Sequence, residues 1–463
     1  MWALGFPTDR VDPGRVACPL EGGHEVLVAF TVQRVRREYR RLPTLAIPIA
    51  LHRLTRDAWL LFATRSIRLF AYGSLSVILV FYLIGLGLSE SRTGLVLTLT
   101  LIGDTIVSLA LTTRADRLGR RRMLMVGAAL MAAAGLAFAS SRNLWLLIVA
   151  GTVGVISPSG HEVGPFLSIE QAALSHVVTD RTRTEVFAWY TLAGALATAL
   201  GALAGGTLTR GLQEAGWTAV GSYRVIVMLY AALGGALALL FTRLSPAAEA
   251  STRGEKAAFR ATLAGLSGLE RSRHVVMKLS GLFALDSFGG GFVVQSFAAY
   301  WFYLRFGVDP RTLGVIFFSA NVLAGISALL ASRLASRFGL IRTMVATHLP
   351  SNILLILVPL MPNLRLAIIV LLVRFSISQM DVPTRQSYVM AVVSPEERSA
   401  AAGITGVART IGAAISPLFV GFMFARPSLI NLPFFIAGTL KIVYDLLLYK
   451  EFVTVQPPEE LRR

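Results

Sequence analysis

An all-α integral membrane protein, with about twelve transmembrane helices in two pseudo-symmetric six-helix bundles, is the fold class this sequence predicts. Three observations carry it. The 463 residues are 54% hydrophobic and only 15% charged, with mean hydropathy +0.65, far from the composition of soluble globular domains. Apolar runs close to the ~20 residues a helix needs to cross a bilayer recur along the chain, separated by short arginine-rich loops. Loop motifs of the first half return in the second at an offset of about 220 residues. The net charge of +18 is spread among the loops. Such a distribution orients helices in an anionic membrane and argues against a nucleic-acid partner. Cys18 is the single cysteine, which excludes an intrachain disulfide or a thiolate metal cluster, and no cofactor is expected.

In chain order, residues 1–56 lack periodicity and any signal-peptide core. They are expected to be a disordered extension, or a stretch read from a wrongly assigned start. An N-terminal bundle over 57–244 holds spans one to six, beginning at Asp57, Thr93, Met123, Leu144, Phe187 and Val225. The fourth is interrupted by SPSGHEVGPF, where Pro158, Gly160, Gly164 and Pro165 oppose a regular helix. Residues 245–274 are polar and basic and read as a cytoplasmic linker. A C-terminal bundle over 275–450 follows, with spans at Val275–Tyr303, Leu313–Leu334, Thr343–Leu360, Leu364–Pro383, Ala400–Phe424 and Ile430–Tyr449, and 451–463 form a tail. Twelve crossings with the basic loops inside put both termini in the cytoplasm.

The internal repeat is specific. An offset of about 220 carries Gly94 onto Gly314, Arg117 onto Arg337 and Gly119 onto Gly339, with Ser336 where Asp116 stands. An offset of about 215 lays EQAALSHVVTDRTRT over RQSYVMAVVSPEERS, pairing Gln171 with Gln386 and Arg183 with Arg398. Ordered matches around equivalent loops mark a duplicated bundle of parallel repeats.

Between spans two and three lies TTRADRLGRRR, Thr112–Arg122. Its Asp116, Arg117, Gly119, Arg120 and Arg121 resemble the Gly-x-x-x-Asp-Arg-x-Gly-Arg-Arg loop of the major facilitator superfamily, with Thr112 in place of the first glycine. The resemblance covers residues 57–450 and implies two six-helix bundles around a cavity that opens alternately to each side, with Asp116 as a conformational latch. A second pattern, Gly-Pro-x-x-Gly-Gly in helix 5 of proton-driven antiporters of that superfamily, is similar to GALAGG at Gly201–Gly206, where Ala202 replaces the proline. Gly201, Gly205 and Gly206 thus have two readings, a coupling motif or close helix packing in lipid.

Ionisable residues inside spans cost about 2.5–3.5 kcal/mol each on insertion scales, so each requires a reason. Asp104, mid-span two, is either a proton or cation site or a partner for Arg65 or Arg68. Asp286, beside three glycines, is a substrate contact or a packed acid. His161 and Glu162 lie in the broken fourth span, and Glu162 is the leading coupling carboxylate. Arg374 faces a membrane carboxylate or an anionic substrate group. Asp381 with Arg385, and Lys441 with Asp445, are spaced i, i+4 as neutralising pairs. Arg409 has no partner in sequence and lines the cavity or reaches another helix. Burial favours the neutral form of an acid unless a fixed cation opposes it. Glu162 or Asp104 is therefore expected to take up a proton, with Arg68 or Arg374 contacting it in one alternating state.

Neither metalloprotease, dinucleotide, P-loop nor nucleophile-elbow motifs occur. The reading is a secondary transporter of a small solute rather than an enzyme, coupled to protons and directed to efflux, monomeric, in the plasma membrane. The alternative is a proton symporter taking solute up. A membrane enzyme would cluster its histidines, and a sensor would carry a soluble domain; neither is found.

Overall fold

The computed structural model describes residues 54–160, 164–178, 183–249, 272–394 and 397–455. They form fifteen α-helices and short 3-10 turns. In the first half these are α1 (Arg56–Gly85), α2 (Glu90–Leu118), α3 (Arg120–Ser140), α4 (Leu144–Val153), α5 (Phe166–Val177), α6 (Arg183–Glu214) and α7 (Ala219–Phe241). In the second they are α8 (Arg273–Gly291), α9 (Gln295–Phe306), α10 (Pro310–Phe338), α11 (Leu340–Leu357), α12 (Leu364–Phe375), α13 (Asp381–Val392), α14 (Arg398–Phe424) and α15 (Leu432–Phe452). Ten segments of the described residues are long and apolar enough to cross a membrane, with α8 and α9 counted as one, Arg273–Phe306. The remaining two crossings are the broken pairs α4–α5 and α12–α13, giving twelve.

Local chemistry sets the helix ends. Thr55, Ser89, Thr218, Asn143, Asn363 and Asp309 accept backbone N–H groups at the starts of α1, α2, α7, α4, α12 and α10, satisfying donors that a helix leaves open. The repeated glycines have a backbone reason. Gly119 and Gly339 turn between consecutive helices at φ 98° and 87°, and Gly87 and Gly307 sit at 98° and 66°, a region that side-chain-bearing residues avoid. The duplication therefore preserves hinges as well as spans.

Two expected spans differ in detail. The seventh and tenth are not continuous helices: α8 stops at Gly291, and α12 gives way to α13 across residues 376–380. The three glycines ending α8 lower its helix propensity at the first break. At the second, Ser376 caps α12 through its backbone N–H to Arg374 and Leu372 carbonyls.

Helices meet closely where a glycine removes the side chain. Within the first half, Gly73 lies against the Thr198 carbonyl, while Gly201 and Gly205 of α6 lie against the Phe70 and Ser74 carbonyls of α1. Gly291 and Gly412 join α8 to α14 in the same manner. Across the halves, Gly94 of α2 faces Pro417 and Gly421 of α14, and Gly206 of α6 faces Pro310 and Gly314 of α10.

The second pair of crossings identifies an end of the molecule. α1 ends, α2 begins, α6 ends and α10 begins on one face, here the far face; the chain from α7 toward α8 leaves from the opposite, linker face. From midspan to the far face Gln295 donates to Ser76 at 2.8 Å, Ser296 N–H to the Pro158 carbonyl at 3.1 Å, and Tyr300 to Glu90 at 3.2 Å. Arg311 and Glu214 pair at 2.9 Å, and Phe81 meets Tyr300 and Tyr303 edge-on at 5.4 and 5.3 Å.

Candidate functional site: buried charges flanking the interface of the halves

Three buried polar centres stand inside the helices. In the first, Arg68 of α1 and Glu170 of α5 are both 0% exposed and paired through two bonds, at 2.7 and 2.8 Å. Thr64 donates to the same carboxylate at 3.0 Å and Tyr190 of α6 at 2.5 Å. The Arg68 guanidinium also lies 4.5 Å from the Phe166 ring centroid, and that of Arg65 4.3 Å from Tyr190. Three helices are tied by one fully satisfied carboxylate, the condition under which a buried ion pair is tolerated.

The second centre gathers α8, α11, α13 and α15. Asp286 accepts from Lys441 at 2.5 Å and from Arg385 at 3.1 Å, with His348 Nε2 at 3.8 Å. Arg385 also bridges to Asp381 at 3.2 Å. His348 Nδ1 meets Asp445 at 2.8 Å, and Asn352 donates to the other Asp445 oxygen at 2.9 Å. The spacing of Asp381 and Arg385 thus does form a pair. That of Lys441 and Asp445 does not, which corrects the sequence expectation. Lys441 reaches across to α8, and Asp445 turns to α11, because each finds a stronger partner on a neighbouring helix than at i, i+4.

The third centre is Asp104 of α2, 7% exposed. Among the described residues one of its oxygens has no hydrogen-bond partner, and the Gly164 N–H donates to the carboxylate. The structure therefore brings Asp104 to the α4–α5 break. His161 and Glu162, the other candidates in that break, lie outside the described residues. Arg68, one of two partners considered for Asp104, is paired with Glu170 instead.

Arg374 ends α12 with its guanidinium 5.0 Å from the Phe375 ring centroid. Arg409 lies in α14, and Arg385, Asp286 and Asp381 are within electrostatic reach of it. Among the described residues, the Nε atoms of both are buried without a hydrogen-bond partner. In the loop motif, Arg120 is buried, and its N–H and that of Arg121 donate to Glu249 at 2.6 and 3.2 Å. Arg120 also donates to the carbonyls of Ala172 and Ala248, tying α3 to α5 and the start of the linker. Gly119 provides the turn. Asp116 and Arg117 occupy the last turn of α2, and their side chains lie outside the described ones.

The principal residues missed by sequence reasoning are Glu170 and His348. A signal for Glu170 was available. The 215 offset lays Glu170 on Arg385, and an offset of 218, which carries Gly73 onto Gly291, lays Arg68 on Asp286. Structure supports both registers, since Gly201 meets the Phe70 carbonyl where Ser416 donates to that of Phe288. Each half thus has an ion pair at the equivalent place, base on the first helix and acid on the fourth crossing in one half, and the reverse in the other.

Comparison with known proteins agrees with this architecture. The family model for the Major Facilitator Superfamily matches residues 61–380 and 279–462. The uncharacterized membrane protein YJR124C of Saccharomyces cerevisiae is 33% identical over 426 residues, covering 87% of this chain and 95% of that protein. Among solved structures, nucleoside transporter NupG aligns with a TM-score of 0.66 at 14% identity, over 86% of this chain and 99% of that one. The xylose transporter XylE from E. coli aligns at 0.64 and 15% identity, over 87% and 98%. At these identities the structural likenesses establish the fold alone.

Proposed function

The chain belongs to the major facilitator superfamily of transporters, and from that premise we propose that it is a proton-coupled secondary transporter, moving a small solute by alternating access between its halves. The observation that carries the coupling is Asp104. It is a buried carboxylate at a helix break and, among the described residues, one oxygen is unbonded and its hydrogen bond comes from a backbone N–H rather than a cation. A carboxylate so placed offers a free oxygen to a proton at a break that water can reach in one alternating state. The clustering of inter-half bonds at the far face corresponds to one of the two alternating states. Proton release would accompany the other.

Two finer readings accompany the proposal. The carboxylate of Asp116 acts as a latch on the α2–α3 turn, where Glu249 already clamps the N-terminus of α3. Efflux across the plasma membrane, with both termini cytoplasmic, is the direction read from the likeness of GALAGG to the antiporter motif, while the packing of those glycines on α1 and α10 accounts for their small size.

Proteoliposomes test the coupling. Asp104→Asn is expected to retain solute exchange without a gradient while losing accumulation driven by a pH gradient. Accumulation at the wild-type level by that variant would remove Asp104 from coupling, and the sign of the gradient that drives accumulation reads out the direction.

A further inference from the structure

In the second half two arginines stand beside a buried charge network without a carboxylate of their own. Among the described residues, Asp286, Asp381 and Asp445 face Arg385, Lys441, Arg374 and Arg409, with His348 bonded to Asp445. Arg385 and Lys441 are each held by a carboxylate at 3.2 Å or less. Arg374 and Arg409 are not. Among the described residues neither makes an ion pair, and each keeps its Nε buried without a hydrogen-bond acceptor. Both are nonetheless within electrostatic reach of Asp286 and Asp381, so they border the same network from α12 and α14.

A guanidinium in a membrane span is retained only with compensation from a counter-ion or from water in a cavity. The first half achieves the former with a two-bond Arg68–Glu170 pair. The equivalent site of the second half also has its internal pair, Arg385 with Asp286, and three carboxylates against four fixed cations leave one positive charge unbalanced there, with neither further arginine in direct contact with an acid among the described residues. Closure around the site would strand both charges unless the cargo supplies negative oxygens. The planar fork of arginine is matched to carboxylate and phosphate geometry. Resting on the transporter reading, we infer that Arg374 and Arg409 form the recognition site of the transported solute, and that the solute is a small organic oxyanion bearing carboxylate or phosphate groups.

The experiment loads proteoliposomes of the full chain with an equimolar mixture of succinate, citrate, glycerol 3-phosphate, glucose, uridine and choline. Contents are followed by mass spectrometry under pH gradients of either sign. At least one of the three anions is expected to move, while glucose, uridine and choline stay. For the anion that moves, Arg374→Gln and Arg409→Gln are each expected to lower its rate at subsaturating concentration by roughly ten- to a hundredfold, the range for losing a charged hydrogen bond. Arg→Lys at either site keeps the charge without the fork and should fall in between. Arg426→Gln, at an exposed position on the far face, should match wild type. Arg409→Gln also removes a like charge beside Arg385, so loss of fold is not its expected effect; monodispersity in detergent verifies this, and the Lys variants serve where a Gln variant misfolds. Movement of glucose, uridine or choline with all anions retained would overturn the anion assignment and leave the transporter reading standing. No movement of any solute under either gradient would count against both. Anion transport undiminished in both Gln variants would overturn the choice of residues.

Discussion

Replacing Glu170 by Gln is the perturbation from which most can be learned. The side chain keeps its shape and an oxygen for Tyr190 or Thr64, so what is lost is the charge that compensates Arg68. Both partners are 0% exposed and share two bonds. Breaking a buried pair by removing one partner costs about 3–5 kcal/mol, because the remaining charge is stranded. Against a typical unfolding free energy of about 5–15 kcal/mol this is a large fraction. The assay is a denaturant titration of the purified protein in detergent, followed by fluorescence of its tryptophans. In a double-mutant cycle with Arg68→Gln, the coupling energy is expected to reach about 2–3 kcal/mol. The second half holds the same pair with acid and base exchanged, Asp286 on α8 and Arg385 on α13. Consequently the swap Arg68→Glu with Glu170→Arg should recover a substantial part of the loss. A Glu170→Gln variant within about 1 kcal/mol of wild type, where surface substitutions fall, would refute the reasoning. So would a coupling energy near zero.

Two further outcomes follow from the packing and the topology. Gly206→Leu places atoms against the Pro310 carbonyl and Gly314 of α10; overpacking of about 1–3 kcal/mol should depopulate the far-face-closed state about five- to a hundred-and-fifty-fold. Transport at the wild-type rate by a folded Gly206→Leu variant would show that this contact does not govern closure. A cysteine introduced at Thr113, with Cys18 replaced, should react with an impermeant thiol reagent only after cells are opened; labelling of intact cells would invert the topology.

Much of the architecture was legible in the chain. The spans, the repeat and the break at Pro158–Pro165 follow from hydropathy, glycine and proline, because each acts over a few neighbouring residues. Apolar length determines what crosses a bilayer. Gly119 and Gly339 recur because the same left-handed turn is needed twice. The candidate site was legible only as a set of costly residues, without their partners. Asp104, Asp286, Arg374 and Arg409 stood out because a charge in an apolar run is expensive wherever it points. Which charge meets which depends on helix rotation and depth, and only the assembled bundle decides that. Glu170 stood in the repeated stretch with no partner assigned, and its role emerges only when α1, α5 and α6 are brought together around it. Lys441 had Asp445 one turn away in sequence, yet its ammonium lies 2.5 Å from Asp286 on another helix. In a low-dielectric interior the energy of a pair depends steeply on distance and on the remaining hydrogen bonds. Sequence spacing offers candidate neighbours, and tertiary packing selects among them.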